Sequence, residues 1–507
     1  MQYFGVMKKI VSATFLLVLV IVSLFAGETV ILDVDVSPSA ILTDEEIDAI
    51  VSECLDRYTG IDILIGIVDR INALYLKKGY PNSMAFIPEQ KVQDGTAVIE
   101  LLEGRIGDVS VTGNAYTVDS YILKSLRLER GAVLNLSDLE NRLHTFNLWN
   151  PGLRLVSTLN PGKGETGTTD IDISVSESFP TGAYATFDNS ASEATGGYRT
   201  GVHVVANSLT GNRDTFLAGC YFNIHSRSLY ADYSLPTFDS VFAETRLGIK
   251  GTIGGSETAS GPASEFDIRN VTINGSAYIS ILLNRTPDSN TSATVSANVG
   301  STTTYALDTL LTNEIIVTGR LGISTSDKLS DFFSLSCNAG LAVGTPYKGA
   351  GDLDNVYLKL DAGLQARLTF PRMGYMLLSA SGQYMPFNRL IPNQEQMYIG
   401  GSNSVRGYSE GCAWGKDGFF TDLELHFLIP WSTRSTLFGF VDYGMTFPSI
   451  LDDNTRLVGL GGGIDVYMGT IFHIKASIAS AMTDIGQGNN PNGIRCSISA
   501  SLSTPNI

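Results

Sequence analysis

Val356-Tyr-Leu-Lys-Leu-Asp-Ala-Gly-Leu-Gln-Ala-Arg-Leu368 alternates without a break. Val356, Leu358, Leu360, Ala362, Leu364, Ala366 and Leu368 fall on one face; Tyr357, Lys359, Asp361, Gln365 and Arg367 fall on the other. A period of two is the period of a strand, whose successive side chains point to opposite sides. Soluble strands usually run to about 5–6 residues. Runs of this length, with one face apolar and the other polar, suit a strand that crosses a membrane with lipid on one side and a wet lumen on the other. Ile315, Val317, Leu321 and Ile323 repeat the pattern against Thr318, Arg320 and Ser324, as do Leu423, Leu425 and Phe427 against Asp422, Glu424 and His426.

Outward from that segment, sixteen such runs can be counted from 181–188 to 494–502, separated by turns rich in Gly, Asn, Ser and Asp. The number is even, as bacterial single-chain outer-membrane barrels require. The expected fold is therefore a 16-stranded antiparallel transmembrane β-barrel over residues 179–507. Its longest connection, 387–416, also carries the most unusual local sequence.

The N-terminal third has a different rhythm. Residues 1–27 read as a signal peptide: Lys8 and Lys9 precede the apolar run Ile10–Phe25, with cleavage expected near Ala26 or Gly27. The alternative for this stretch is a retained membrane anchor. Residues 28–178 mix helical and strand periods and divide into two α+β units, 28–105 and 106–178, with a weak internal repeat. In the first, a strand near Thr29–Val36 leads to a helix opened by the capping box Thr43-x-x-Glu46. A second helix carries Leu64, Val68, Ile71 and Tyr75 on one stripe and stops at Gly79, before a strand at Ala97–Leu102. In the second, a strand at Asp108–Val111 precedes a helix near Thr117–Leu126 and another opened by Ser137-x-x-Glu140, with a closing strand at Asp170–Val175.

Composition narrows the function. Lys+Arg 34 against Asp+Glu 51 gives a net charge of −17, so no nucleic-acid partner is expected. The five cysteines and five histidines are scattered, with no CxxC or HExxH spacing, so neither a disulfide framework, a metal site nor a cofactor is expected. Gly162-Lys-Gly-Glu-Thr-Gly167 has the glycine spacing of a phosphate loop, but Thr168 stands where the lysine is required. Gly459 and Gly461–Gly463 lie where a barrel strand is expected, and read as close-packed strand positions or turns. No catalytic arrangement emerges, and an enzyme is not expected.

The long connection reads Tyr398-Ile-Gly-Gly-Ser-Asn-Ser-Val-Arg-Gly-Tyr408, and two strands later comes Phe440-Val-Asp-Tyr-Gly444. Alternation sets Phe440, Asp442 and Gly444 on one face, opposite Val441 and Tyr443, and sets Glu424 inward between Leu423 and Leu425. A carboxylate facing lipid is costly, so both acids are expected in the lumen. A guanidinium can grip a carboxylate with two parallel bonds and hold a loop in one geometry. The alternative is a solvated arginine outside the barrel and an unpaired lumen aspartate.

The paired signature resembles that of the BamA-related superfamily of POTRA-barrel proteins. Tyr75-Leu-Lys-Lys-Gly-Tyr-Pro-Asn-Ser83, Ile87-Pro-Glu-Gln-Lys-Val-Gln-Asp-Gly95 and Leu102-Glu-Gly-Arg-Ile106 are similar to the first POTRA domain of two-partner secretion transporters, the haemolysin secretion/activation family. Leu159-Asn-Pro-Gly162 and Phe187-Asp-Asn-Ser-Ala-Ser-Glu-Ala-Thr-Gly196 resemble that family's passage from the second POTRA domain into the first barrel strand.

The resemblance implies an outer-membrane pore that exports one large exoprotein, unfolded in transit and of the β-helical type, without ATP. Periplasmic POTRA domains would capture the client; the alternative is that they only scaffold the barrel. It also implies an inward loop bearing Val405, Arg406, Gly407 and Tyr408, with Asp442 as the partner of Arg406, Glu424 as a second candidate acceptor, and Phe440 and Gly444 completing the strand motif. Outer-membrane lipid and the barrel-assembly machinery are the other expected partners. No plug helix is expected before the first strand, so the loop or other lumen residues should close the resting pore. The end Ser-Thr-Pro-Asn-Ile507 lacks the terminal aromatic residue common in such barrels. The rival functions are an outer-membrane assembly insertase of the same superfamily and a diffusion porin, the latter disfavoured by the large N-terminal portion.

Overall fold

The computed structural model describes residues 31–504 except 93, 151, 165–166, 238–243, 262, 349–355, 387–390, 448–453 and 486–492. The signal peptide expected at 1–27, the start of the first strand at Thr29 and the chain end at Ile507 lie outside the described residues. Among the described residues, those within Met1–Gly113, Leu126–Phe146 and Leu155–Val175 form one compact unit. Those within Asn114–Ser125, Asn147–Arg154 and Ser176–Ile507 form another.

The chain opens with β1 (Asp33–Val36), α1 (Asp44–Arg57), α2 (Ile61–Lys77), β2 (Met84–Phe86) and β3 (Thr96–Leu102). Helix α1 starts where the capping box places it: the Thr43 hydroxyl accepts from the Glu46 N–H, and the Glu46 carboxylate accepts from the Thr43 N–H. Asp44, Glu45 and Glu46 crowd its first turn, where the helix dipole favours negative charge. Helix α2 buries Ile63, Leu64, Ile67, Ile71 and Tyr75, one stripe of a 3.6-residue period, against Ala97 and Ile99 of β3. Gly79 ends it with a φ of +90°, a conformation that disfavours any residue with a Cβ. Glu103 then ties the module together, accepting from Ser39 Oγ (2.5 Å), the Ala40 N–H (3.0 Å) and Tyr75 Oη (3.2 Å).

The next elements are β4 (Arg105–Thr112), α3 (Asp119–Leu126), α4 (Leu136–Trp149), β5 (Leu153–Pro161) and β6 (Thr168–Glu177). The order β-α-α-β-β is that of the first module. So is the sheet: β1-β3-β2 with β1 and β3 parallel, then β4-β6-β5 with β4 and β6 parallel. The weak repeat in the sequence is a repeat of topology. One expectation needs correction: α4 is not capped by Ser137. Leu136 is already helical, and Asn135 Oδ1 accepts from the Asp138 N–H at 2.9 Å, which puts Ser137 inside the first turn. Asparagine caps as well as serine does, and here it stands at the residue where the chain turns.

From Thr181 onward the chain is a closed antiparallel barrel of sixteen strands. They are β7 (Thr181–Asp188), β8 (Arg199–Asn207), β9 (Thr215–Phe222), β10 (Ser226–Thr237), β11 (Glu244–Glu257), β12 (Arg269–Arg285), β13 (Ser289–Ala306), β14 (Thr309–Lys328), β15 (Phe333–Lys348), β16 (Tyr357–Phe370) and β17 (Gly374–Tyr384). After a long connection come β20 (Asp417–Leu428), β21 (Thr436–Phe447), β22 (Thr455–Met468), β23 (Phe472–Ala481) and β24 (Ile494–Ser503), which pairs back onto β7. Closure leaves no free strand edge, the condition for taking backbone polar groups into lipid. Each of the sixteen runs counted in the sequence overlaps one barrel strand, and β10–β15 extend beyond the counted run at one or both ends. The outward face is apolar and open, with Leu360, Leu364, Leu423 and Leu425 exposed, whereas Glu424 and Asp442 on the inward face are 3% and 0% exposed. Within the long connection a two-stranded hairpin forms from β18 (Met397–Ile399) and β19 (Ala413–Gly415).

Candidate functional site

The hairpin of β18 and β19 carries a tip, residues 400–412, that packs against the inward face of β20–β23. Gly400, Gly401 and Gly407 have φ values of +105°, +99° and +98°, so the tip folds through conformations that side chains disfavour. Around it Ile399, Val405, Tyr408 and Ala413 form one buried cluster with Leu457 of β22 and Ala481 of β23. Val405 sits where a Cβ on Gly444 would come within 2.8 Å of it, which explains the glycine two residues after Asp442.

Arg406 is 5% exposed and is gripped from several sides. Its Nε donates to Asp442 Oδ2 at 2.8 Å and its Nη2 to Asp442 Oδ1 at 2.6 Å, the two-pronged geometry that only a guanidinium offers. The backbone N–H of Arg406 also donates to Asp442 Oδ2, at 2.9 Å. Nη1 donates to Glu424 Oε1, and Asp422 Oδ2 lies 3.7 Å from Nη2. The guanidinium carbon stands 3.4 Å from the centre of the Phe440 ring, so the aromatic residue of the strand motif forms a cation–π floor. Tyr408 fixes the other side of the tip, its hydroxyl accepting from the Val458 and Thr483 N–H groups at 3.2 and 3.0 Å.

The structure thus brings Val405, Arg406, Gly407, Tyr408, Glu424, Phe440, Asp442 and Gly444 into one place, with Arg406 buried rather than solvated. It also adds residues that the sequence reading left out. Lys475 Nζ donates to both Glu424 oxygens at 3.3 Å and stands 4.9 Å from the Phe438 ring. His426 Nε2 lies 2.7 Å from Glu424 Oε2, with its ring stacked between Tyr375 and Phe438. Gly459 faces the Arg406 carbonyl so closely that a Cβ there would overlap it, and Gly407 has no room beside the Ala481 backbone, 2.7 Å from its would-be Cβ. His426 and Asp422 share the inward parity of Glu424 and were legible on that ground. Lys475 and Gly459 depend on the registers β22–β23 and β21–β22, which no pattern along one strand reveals.

A second anchor lies nearer the start of the connection. Lys359 on β16 pairs with Glu395, and the Gln383 amide donates to the Glu395 carbonyl at 2.7 Å. At the far end of the hairpin Lys416 Nζ lies 3.0 Å from Asp417 Oδ2 and donates to the Met385 carbonyl at 2.8 Å. The connection is therefore held at its root as well as its tip. Among the described residues no His, Cys, Asp and Glu group together as a metal site would require.

Comparison with known proteins gives the same outline. The family described as haemolysin secretion/activation protein ShlB/FhaC/HecB matches residues 167–466, and the ShlB-type POTRA domain matches residues 30–104. The outer membrane transporter CdiB of Dickeya dadantii (strain 3937) is 23% identical over 458 residues, spanning 84% of this chain and 78% of its own length. The heme/hemopexin transporter protein HuxB of Haemophilus influenzae (strain 86-028NP) is 22% identical over 475 residues, spanning 87% of this chain and 81% of its own. Among solved structures, CdiB from Escherichia coli aligns with a TM-score of 0.64 at 21% identity, covering 94% of this chain and 90% of that one. BamA from Haemophilus ducreyi lacking POTRA domains 1–3 aligns at 0.60 with 13% identity, covering 94% and 100%. These two likenesses are of fold.

Proposed function

The chain belongs to the haemolysin secretion/activation family of outer-membrane transporters, with its POTRA portion in the periplasm, and from that premise we propose how it works. It is the transporter of a two-partner secretion system, and it takes up one unfolded exoprotein of the β-helical type and passes it through the barrel without ATP. The chemistry of the lumen is that of a conduit, not an enzyme. We divide the chain into a leader (1–27), a first POTRA domain (28–105), a second (106–178) and the barrel (179–507).

The observation that carries this reading is the buried grip of Asp442 and Glu424 on Arg406. It holds the Val405–Tyr408 tip inside a lumen that a passive pore would leave open. In this reading Phe440 and Gly444 shape the seat of the tip, the seated tip narrows the resting pore, and export needs the tip held in this geometry. The POTRA modules suit capture, because a small sheet beside two helices offers backbone groups to an extended chain with little demand on its sequence. Outer-membrane lipid surrounds the wall, and the barrel-assembly machinery inserts it.

The test compares culture medium and outer-membrane proteome in strains with and without this protein. Loss of a single large exoprotein from the medium, with other barrels unchanged, is the expected result. A general fall in barrel proteins would make it an assembly insertase and overturn the export reading.

A further inference from the structure

The two sides of the lumen differ in chemistry. The wall of β20–β23 is charged and covered by the loop tip. On β13 the inward positions read Asn290, Ser292, Thr294, Ser296, Asn298 and Gly300, with Val295 and Val299 exposed on the outer face. The register places Ser276 and Ser280 of β12 and Thr318 and Ser324 of β14 beside them. Two cavities follow one another along this strand. Asn290 and Ser292 border one of about 480 Å³, and Thr294, Ser296, Asn298 and Gly300 border one of about 610 Å³, which Gln394 and Glu395 of the long connection also line. Ten steps from Asn290 to Gly300, at about 3.4 Å each along a strand tilted by about 40°, match the height of the apolar band of about 25 Å that a barrel presents to lipid.

Hydroxyls suit one kind of guest. An extended backbone presents N–H and C=O groups in turn, and a Ser or Thr hydroxyl can serve either. The wall already shows this ambivalence: Ser292 Oγ and Ser324 Oγ lie 2.9 Å apart, and Thr318 Oγ1 and Tyr357 Oη 3.0 Å apart, with either atom able to donate. A chain sliding past would exchange such bonds one residue at a time, with little gain or loss at any register. The charged groups bordering the larger cavity are mostly engaged: Arg320 donates to Asp361 at 2.6 Å, Asp232 accepts from Tyr278 at 2.7 Å, and Glu395 pairs with Lys359. Lys250 also borders it. Many weak contacts without a deep well are what transit through a pore requires.

We infer that the inward face of β13, with its neighbours on β12 and β14, is the track along which the exported polypeptide moves in extended form, held through its backbone. The inference rests on the export reading above.

The probe is the exoprotein missing from the medium of the deletion strain, stalled in transit by a fast-folding domain fused to its C-terminus. A photo-crosslinking phenylalanine analogue at Ser292 or Asn298 should capture it, and the same analogue at Tyr230 on β10 should not. Ser296→Ala/Asn298→Leu/Thr318→Val should slow secretion about tenfold as the exchanging bonds are lost, whereas Ser296→Thr/Asn298→Gln/Thr318→Ser should secrete normally. Capture from Tyr230 alone, or undiminished secretion by the apolar triple variant, would overturn the track. If that variant fails to insert, the single-site crosslinks decide. Unchanged medium in the deletion strain is a separate result: it removes the export reading, and the track with it.

Discussion

At Gly459 the absence of a side chain is what lets the loop tip sit down. A Cβ there would overlap the Arg406 carbonyl, so Gly459→Ala should expel the tip while leaving the strand ladder whole. Trypsin cleavage at Arg406 in intact cells should rise sharply in that variant and stay low in the native protein. Arg406 itself is the harder test. Removing one partner of a buried, hydrogen-bonded ion pair destabilises by about 3–5 kcal/mol, because the acids left behind keep their desolvation penalty. Arg406→Ala is therefore expected to abolish export while the barrel still folds and inserts, read by heat-modifiable migration beside exoprotein in the medium. Undiminished export would remove the need for a held tip. Arg406→Lys should fail nearly as badly, since an ammonium cannot span both Asp442 oxygens as Nε and Nη2 do.

Elements form here for local reasons that can be tested one at a time. Thr43→Ala removes the acceptor for the Glu46 N–H at the start of α1, and Asn135→Ala the acceptor for the Asp138 N–H at the start of α4. Each should lower stability by about 1 kcal/mol, measured as urea-dependent proteolysis of the N-terminal portion. Ser137→Ala should change little, since Ser137 is not the cap. Tyr75 carries a pH dependence. Burial, together with the nearby Glu103 charge, pushes its phenol up to about 12 from an ordinary value of 10.0. A group harder to ionise when folded stabilises fully below its unfolded value, and that contribution is lost as pH climbs through the folded one. The first module should therefore weaken between those two values, and Tyr75→Phe should flatten that alkaline loss while weakening the module at neutral pH. Equal alkaline loss in both proteins would assign the effect elsewhere.

For the whole molecule, the question is what the modules add to a barrel that closes by itself. Strands β7–β17 and β20–β24 complete their ladder without help from β1–β6. Removal of residues 28–178 should thus leave a barrel that conducts ions in planar bilayers yet secretes nothing in cells. Full secretion without them would reduce the POTRA modules to scaffolding.

Much of this was legible along the chain. The two-residue period alone assigned lipid and lumen faces, because a closed barrel in a membrane gives every strand the same two environments, and each of the sixteen runs overlaps a strand. Alternation likewise set Asp442 and Glu424 inward, and glycines marked the tip of the long connection. Short elements were missed or misplaced where neighbouring residue types compete: β2 has three residues, β5 passed unmarked, and Asn135 lost its capping role to Ser137 in the reading. What no single strand could disclose was which inward residues meet. The joining of Lys475 to Glu424 and of Gly459 to Arg406, and the run of hydroxyls along β13 that lines two cavities, depend on inter-strand register and on where the loop comes to rest. Periodicity is a property of one strand in its two solvents and is written locally; register and loop seating are set by contacts between residues far apart in the chain, and only the closed barrel decides them.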